Sequence, residues 1–137
     1  MTSELFHWYA NQVAELDKMV SKLVFESYGV EKYHESHVGS VTYTVRLIRH
    51  RVPEQNEMNV GVPPHTDKNF ITILQQNEAD GLEVQLKNGS WIPIDFPPSS
   101  VIIMAGDVFS VRYFLFLSLN VQAWIILNLI SYNIAIL

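Results

Sequence analysis

The 137-residue chain contains no cysteine. That removes disulfides, thiolate metal sites and cysteine nucleophiles together, and it leaves the redox compartment undetermined. Basic residues are scarce: 9 Lys and Arg stand against 14 Asp and Glu, a formal net charge of -5. Phosphate contacts need clustered Lys and Arg, so the balance argues against a general nucleic-acid binder. The opening MTSELFHWYANQVAELDK has neither a basic segment nor an apolar run, so a secretory leader is not expected and a cytoplasmic location is. Internal repeats and low-complexity linkers are missing as well. From Tyr113 to Leu137 there is no charged residue at all.

What is present is globular in character. Hydrophobic residues make up 48% of the chain and charged ones 17%, enough for one domain with a real core. Val13, Leu16, Val20, Leu23 and Val24 recur at helical spacing among Glu15, Asp17, Lys18 and Lys22, which predicts an amphipathic helix. Gly29 is placed to end it. A short second helix is expected in VEKYHESH, and VTYTVRLIRH (41–50) is rich enough in β-branched residues to be a strand. VPEQNEMN is polar and irregular, hence a loop.

Beyond that loop the pattern is strand and turn. ITILQQ (71–76) and LEVQLK (82–87) are expected strands separated by the turn cluster NEADG (77–81). Asn88-Gly89 is a favoured pair for a tight hairpin, with SWIPI (90–94) returning along it. VIIMA (101–105) reads as a buried strand closed by Gly106-Asp107. A leading helix followed by short antiparallel strands suggests a β-sandwich or barrel with a helix packed on it.

His65 and Asp67, in GVPPHTDKNF (61–70), are the candidate metal ligands. On a strand, residues i and i+2 share a face, so both side chains can reach one ion. Neutral imidazole plus carboxylate suits a divalent metal, and with a second His the pair becomes the facial triad of non-haem Fe(II) oxygenases. The alternative for the pair alone is ordinary hydrogen bonding at a strand entrance. His34 and His37, at i and i+3, could chelate if helical or form a solvated surface pair. His50 ends a strand, where it is a polar terminal residue or a substitute third ligand. Asp107 is expected as a turn residue, Lys68 as a solvated side chain at the rim of the site, and Trp91 as core.

HTDKNFITILQQ, DGLEVQLKNGSWIPI and PPSSVIIMAGD follow in order. Together they resemble the iron- and 2-oxoglutarate-dependent dioxygenases of plants, in particular the branch that modifies glucosinolate side chains, with its His-Thr-Asp-Lys metal segment. ELDKMVSKLVFESYGVEKY is similar to the long helix and connector that precede the sheet in that family. The resemblance covers roughly residues 13–107. It implies an α+β fold: an N-terminal amphipathic helix packed on an antiparallel double-stranded β-helix, or jelly-roll, here incomplete and followed by an apolar C-terminal tail. It implies His65 and Asp67 as iron ligands, Fe(II) as cofactor, 2-oxoglutarate as co-substrate and ascorbate as accessory reductant. The implied reaction couples conversion of 2-oxoglutarate to succinate with oxidation of a small molecule of secondary metabolism.

The same resemblance implies a second His ligand beyond the Gly-Asp turn and an Arg-x-Ser pair that holds 2-oxoglutarate. The chain has no histidine after His65; His7, His34, His37 and His50 all precede it. Arg112, the only arginine after Asp107, is followed by Tyr113 and Phe114. An enzyme by descent that has lost activity is therefore expected. The alternatives are a non-catalytic fragment that associates with a full-length relative, and a tail-anchored membrane protein.

The expected organisation is a helical segment at 1–40, a partial dioxygenase domain at 41–107 and a divergent tail at 108–137. The tail has the length of a membrane-spanning helix, but Asn120, Gln122, Asn128 and Asn133 each raise the cost of insertion. Translated non-coding sequence and strands that complete the sheet are the other two explanations.

Overall fold

In the computed structural model the described residues are 3–49, 54–56, 60–76, 81–95, 97, 100–109, 125–127 and 132–136. They fall into two units, residues 1–45 with residue 136, and residues 46–135 with residue 137.

In the first unit, helix α1 spans Ser3–Ser27, a one-turn 3-10 helix follows at Glu31–Tyr33, and helix α2 spans His34–Ser40. Gly29 ends α1 as expected, at φ 65°, a conformation that costs glycine nothing. Its N–H donates to Glu26 O (2.9 Å) and that of Val30 to Phe25 O (2.9 Å), the paired bonds of a Schellman cap.

The buried line of α1 is not the expected apolar stripe. It runs Val13, Asp17, Ser21, Phe25, while Leu23 is 64% exposed and Leu16, Val20 and Val24 are only half-buried. The shift has a polar cause: the Tyr43 hydroxyl donates to Asp17 Oδ2 (3.0 Å), and Ser21 Oγ lies 3.0 Å from His34 Nε2. Phe25 packs against the rings of His34 and His37, with centroids 5.5 and 5.1 Å away. Both histidines are thus half-buried, not the solvated pair the sequence suggests.

Seven strands are found among the described residues, in two sheets: β1 (Val45–Arg49), β2 (Ile71–Gln76), β3 (Leu82–Gln85), β4 (Trp91–Ile94), β5 (Ile102–Ala105), β6 (Ile125–Leu127) and β7 (Tyr132–Ile136). One sheet has the order β1-β7-β2-β5 and the other β4-β3-β6. Strand β2 pairs antiparallel with β5, Thr72 opposite Met104, and β3 pairs antiparallel with both β4 and β6. Leu74 and Met104 from the first sheet meet Leu82 from the second, with Val62, Ile94 and Ile102 packed around them. The core therefore lies between the sheets, the arrangement in which two half-apolar sheets bury their inner faces.

Several strands differ from expectation. Residues 41–44 have no ladder partner among the described residues, and β1 begins at Val45. VIIMA is not buried throughout: β5 alternates, with Met104 at 8% exposure and Ile103 at 41%, because successive side chains point to opposite faces of the sheet and only one face meets the core. Trp91 is half-buried rather than core. The Asn88-Gly89 hairpin closes with a three-residue loop: Gly89 N donates to Leu86 O (2.9 Å), Leu86 N donates to Ser90 O (2.8 Å), and Gly89 takes φ 86°. A single positive-φ glycine after the turn suits that loop. Asn88 Oδ1 accepts from Ser90 N at 3.0 Å and helps to close it.

Two segments of the tail are strands, β6 beside β3 and β7 between β1 and β2. Of the three explanations for residues 108–137, this backbone supports strands that complete the sheets. Apart from Val108 and Phe109, the rest of the tail lies outside the described residues, as do His50 and most of the loops VPEQNEMN and NEADG. Among the described residues no helix is long and apolar enough to cross a membrane.

Candidate metal centre

His65 and Asp67 precede β2 in an irregular segment, not in a strand. Their shared direction comes from extended backbone laced to a second segment instead of from a ladder. Asp107 N donates to Asp67 O (2.8 Å), Gly106 N to Phe70 O (3.0 Å) and Val108 N to Asn69 O (3.2 Å). The rings of Phe70 and Phe109 pack beside these bonds, centroids 5.0 Å apart. Gly106 is required by this approach, since a Cβ there would lie 2.2 Å from Asn69 O.

Side chains alternate along the segment. Thr66 Oγ1 (2.9 Å) and Lys68 Nζ (2.5 Å) both donate to Asp107 Oδ2. Asp107 is therefore a clasp across the two segments rather than a simple turn residue, and Lys68, though 84% exposed, is paired with it. Those two donors hold the Asp107 carboxyl below the usual carboxylate range. On the other side of the backbone, His65 Nε2 and Asp67 Oδ1 face each other at 3.4 Å.

The proton assignment follows from the partners. Pro63 O can only accept, so the 2.9 Å contact from His65 Nδ1 places a proton on Nδ1, and in the neutral tautomer Nε2 then carries its lone pair towards Asp67. Asp67 Oδ2 accepts from the Thr72 hydroxyl (2.5 Å), and among the described residues Oδ1 has only the contact with His65. Two lone pairs facing each other repel unless something positive sits between them. A proton on Nε2 would make an ordinary ion pair, and a divalent cation would make a metal site. The sequence did not flag Thr72, although a hydroxyl in the otherwise apolar run Ile71–Leu74 was a visible signal.

His65 is 41% exposed at its side chain and Asp67 13%, so a ligand from solvent meets the imidazole first. Among the described residues no group of three or more His, Cys, Asp or Glu is placed to hold a metal.

The model of the 2OG-Fe(II) oxygenase superfamily matches residues 38–120, more than half of the chain. The chain belongs to that superfamily. It is 42% identical over 109 residues to the Arabidopsis thaliana protein described as "Probable 2-oxoglutarate-dependent dioxygenase AOP1", covering 77% of this chain and 36% of the relative. It is 23% identical over 201 aligned positions to "2-oxoglutarate-dependent dioxygenase AOP3" of Arabidopsis thaliana, covering 77% of this chain and 49% of the relative. The chain thus spans between about a third and a half of the length of these relatives.

Among solved structures, the Arabidopsis thaliana dioxygenase for auxin oxidation 1 with 2-oxoglutarate superposes with a TM-score of 0.77 at 24% identity, over 97% of this chain and 50% of that one. The C-terminally truncated T7H of Neurospora crassa gives a TM-score of 0.71 at 23% identity, over 93% and 48%. At such identities the likeness concerns the fold, the double-stranded β-helix of 2-oxoglutarate oxygenases.

Superfamily membership implies Fe(II) and 2-oxoglutarate. The residues present suit the metal in part: His65 Nε2 and Asp67 Oδ1 are a neutral nitrogen and an anionic oxygen with open lone pairs, a donor set that divalent iron accepts. A third donor is not assembled among the described residues.

Proposed function

We propose that this chain is, by descent, a 2-oxoglutarate- and Fe(II)-dependent dioxygenase acting on a small molecule of secondary metabolism, and that as these 137 residues it is inactive. The observation that carries the metal half of this reading is the convergence of His65 Nε2 and Asp67 Oδ1, 3.4 Å apart. The inactive half rests on the absence of any histidine after His65 and of an Arg-x-Ser pair. Bound Fe(II) would supply the site at which oxygen is activated. The chain's own residues do the holding: Pro63 O keeps the imidazole proton on Nδ1, and Thr72 occupies Asp67 Oδ2. Two protein donors give weak metal binding, since affinity depends on ligand number and a supported geometry.

The test is succinate release from 2-oxoglutarate with added Fe(II) and ascorbate, beside a His65→Ala control. The expected result is equal background in both. Turnover that His65→Ala abolishes overturns inactivity. Mn(II) binding, measured separately, is expected in the parent chain and lost in His65→Ala.

A second reading is a non-catalytic module that pairs with a full-length relative. It is favoured by β5, an edge strand among the described residues that presents Ile103 at 41% exposure. Unpaired edges are templates for strand addition. Co-purification with a tagged full-length relative supports it, and a chain that stays monomeric and captures none of that relative ends it. We place the protein in the cytoplasm; recovery in the membrane fraction after lysis would overturn that.

A further inference from the structure

Asp67 is aimed by a chain of hydrogen bonds whose direction can be worked out without seeing a proton. Asn69 Nδ2 lies 2.9 Å from Ile71 O and 2.9 Å from Thr72 Oγ1. The Ile71 carbonyl can only accept, so the nitrogen of the amide must face it, and the opposite flip would set oxygen against oxygen. Thr72 Oγ1 therefore receives a proton from Asn69. Its own single proton then goes to Asp67 Oδ2 at 2.5 Å, because a carboxylate only accepts. Thr72 is 2% exposed, so water does not compete for that hydroxyl.

The orientation of Asn69 is held at a cost. Its Oδ1 is buried and has no partner among the described residues. That atom sits where a side chain on Gly106 would be, 2.4 Å from the position of a Cβ. An unpaired buried carbonyl is tolerated only where the surroundings over-determine it. Here the two acceptors on the nitrogen side and the bare Gly106 backbone on the oxygen side leave the amide one orientation.

From this arrangement we infer that Thr72, held by Asn69, is a positioning residue that presents Asp67 Oδ1, and only Oδ1, to a divalent cation shared with His65 Nε2. The inference rests on the metal reading proposed above and deepens it. Without the Thr72 hydroxyl, both carboxylate oxygens are equivalent and the group is free to rotate about its bond, so the imidazole and the carboxylate no longer converge. With it, one oxygen is occupied and the other is fixed at 3.4 Å from the imidazole nitrogen.

The experiment measures Mn(II) binding by water-proton relaxation in the full chain, with far-UV circular dichroism as a check on folding. Thr72→Val keeps the shape and removes the hydroxyl; Thr72→Ser keeps the hydroxyl. Expected are affinity about tenfold weaker in Thr72→Val, the size of a lost outer-shell partner, and affinity within about twofold of the parent in Thr72→Ser. A purely structural role for Thr72 would not be rescued in that pattern. Equal affinity in Thr72→Val and the parent overturns the positioning role while leaving the metal site intact. Binding by the parent no better than by His65→Ala overturns the metal reading and this inference with it. If Thr72→Val does not fold, Asn69→Ala takes its place: about threefold weaker binding is expected, and unchanged binding overturns the inference.

Discussion

The helical unit and the segment before β2 each bring histidine and aspartate together, with opposite outcomes. In the helical unit the polar groups of the cluster bond to one another and to the helix backbone. Ser21, fully buried, donates to Lys18 O (3.1 Å), so His34 must supply the Nε2 proton for its 3.0 Å contact with the same hydroxyl. Asp17 is taken by the Tyr43 hydroxyl, and Phe25 covers both imidazoles. In the strand unit the corresponding bonds are turned outward: His65 uses Nδ1, Asp67 uses Oδ2, and the two remaining atoms face each other. What separates the helical cluster from the candidate metal centre is thus which partners its groups face, not which residue types are present.

The contrast can be broken at several points. The largest expected effect is at Phe25, 8% exposed; Phe25→Ala is expected to cost about 3 kcal/mol in urea unfolding. A loss below about 1 kcal/mol would mean that the helical cluster is not a core. Next is Gly106→Ala, whose Cβ would collide with Asn69 O at 2.2 Å; about 2 kcal/mol of destabilisation is expected, together with weaker Mn(II) binding. If that variant is neutral, the close approach that supports the metal segment is not real.

A smaller effect belongs to Tyr43→Phe, about 1 kcal/mol near neutral pH. Burial and the Asp17 charge push the Tyr43 phenol from 10.0 up to about 12. The folded state therefore keeps its proton where the unfolded state has lost it. The associated stability is complete below about pH 10 and is lost as the pH rises towards about 12. Unfolding followed against pH, with tyrosinate absorbance, is expected to show that decline in the parent and less of it in Tyr43→Phe. The smallest effect is expected for Lys68→Ala, within about 0.5 kcal/mol, because an ion pair with one partner 84% exposed is screened by water. For metal, His34→Ala and His37→Ala are expected to leave Mn(II) binding unchanged, and a loss in either would erase the distinction between the two clusters.

Much of this was legible beforehand, and the exceptions share a cause. Gly29 ended α1 where glycine chemistry placed it, and ITILQQ became β2 with the expected limits, since both depend on local geometry. The helical face was misjudged at Leu23 and Ser21 because a hydrophobic pattern does not register a polar residue whose partner is distant in sequence, as His34 is from Ser21. The apolar tail was ambiguous for a related reason. A run without charge suits a membrane, a sheet interior or no structure, and the strands at 125–127 and 132–136 exist only through pairing with β3, β1 and β2.

By itself the sequence determined the superfamily and the order of most elements, and it nominated His65 and Asp67 as candidates, because residue spacing and turn chemistry are written along the chain. Only the tertiary structure decided that Thr72 and Asn69 orient that pair, that Asp107 clasps the segment carrying it, and that Gly106 must be bare. Those facts rest on contacts between residues 65–72 and 106–108, whose directions no one-dimensional pattern contains.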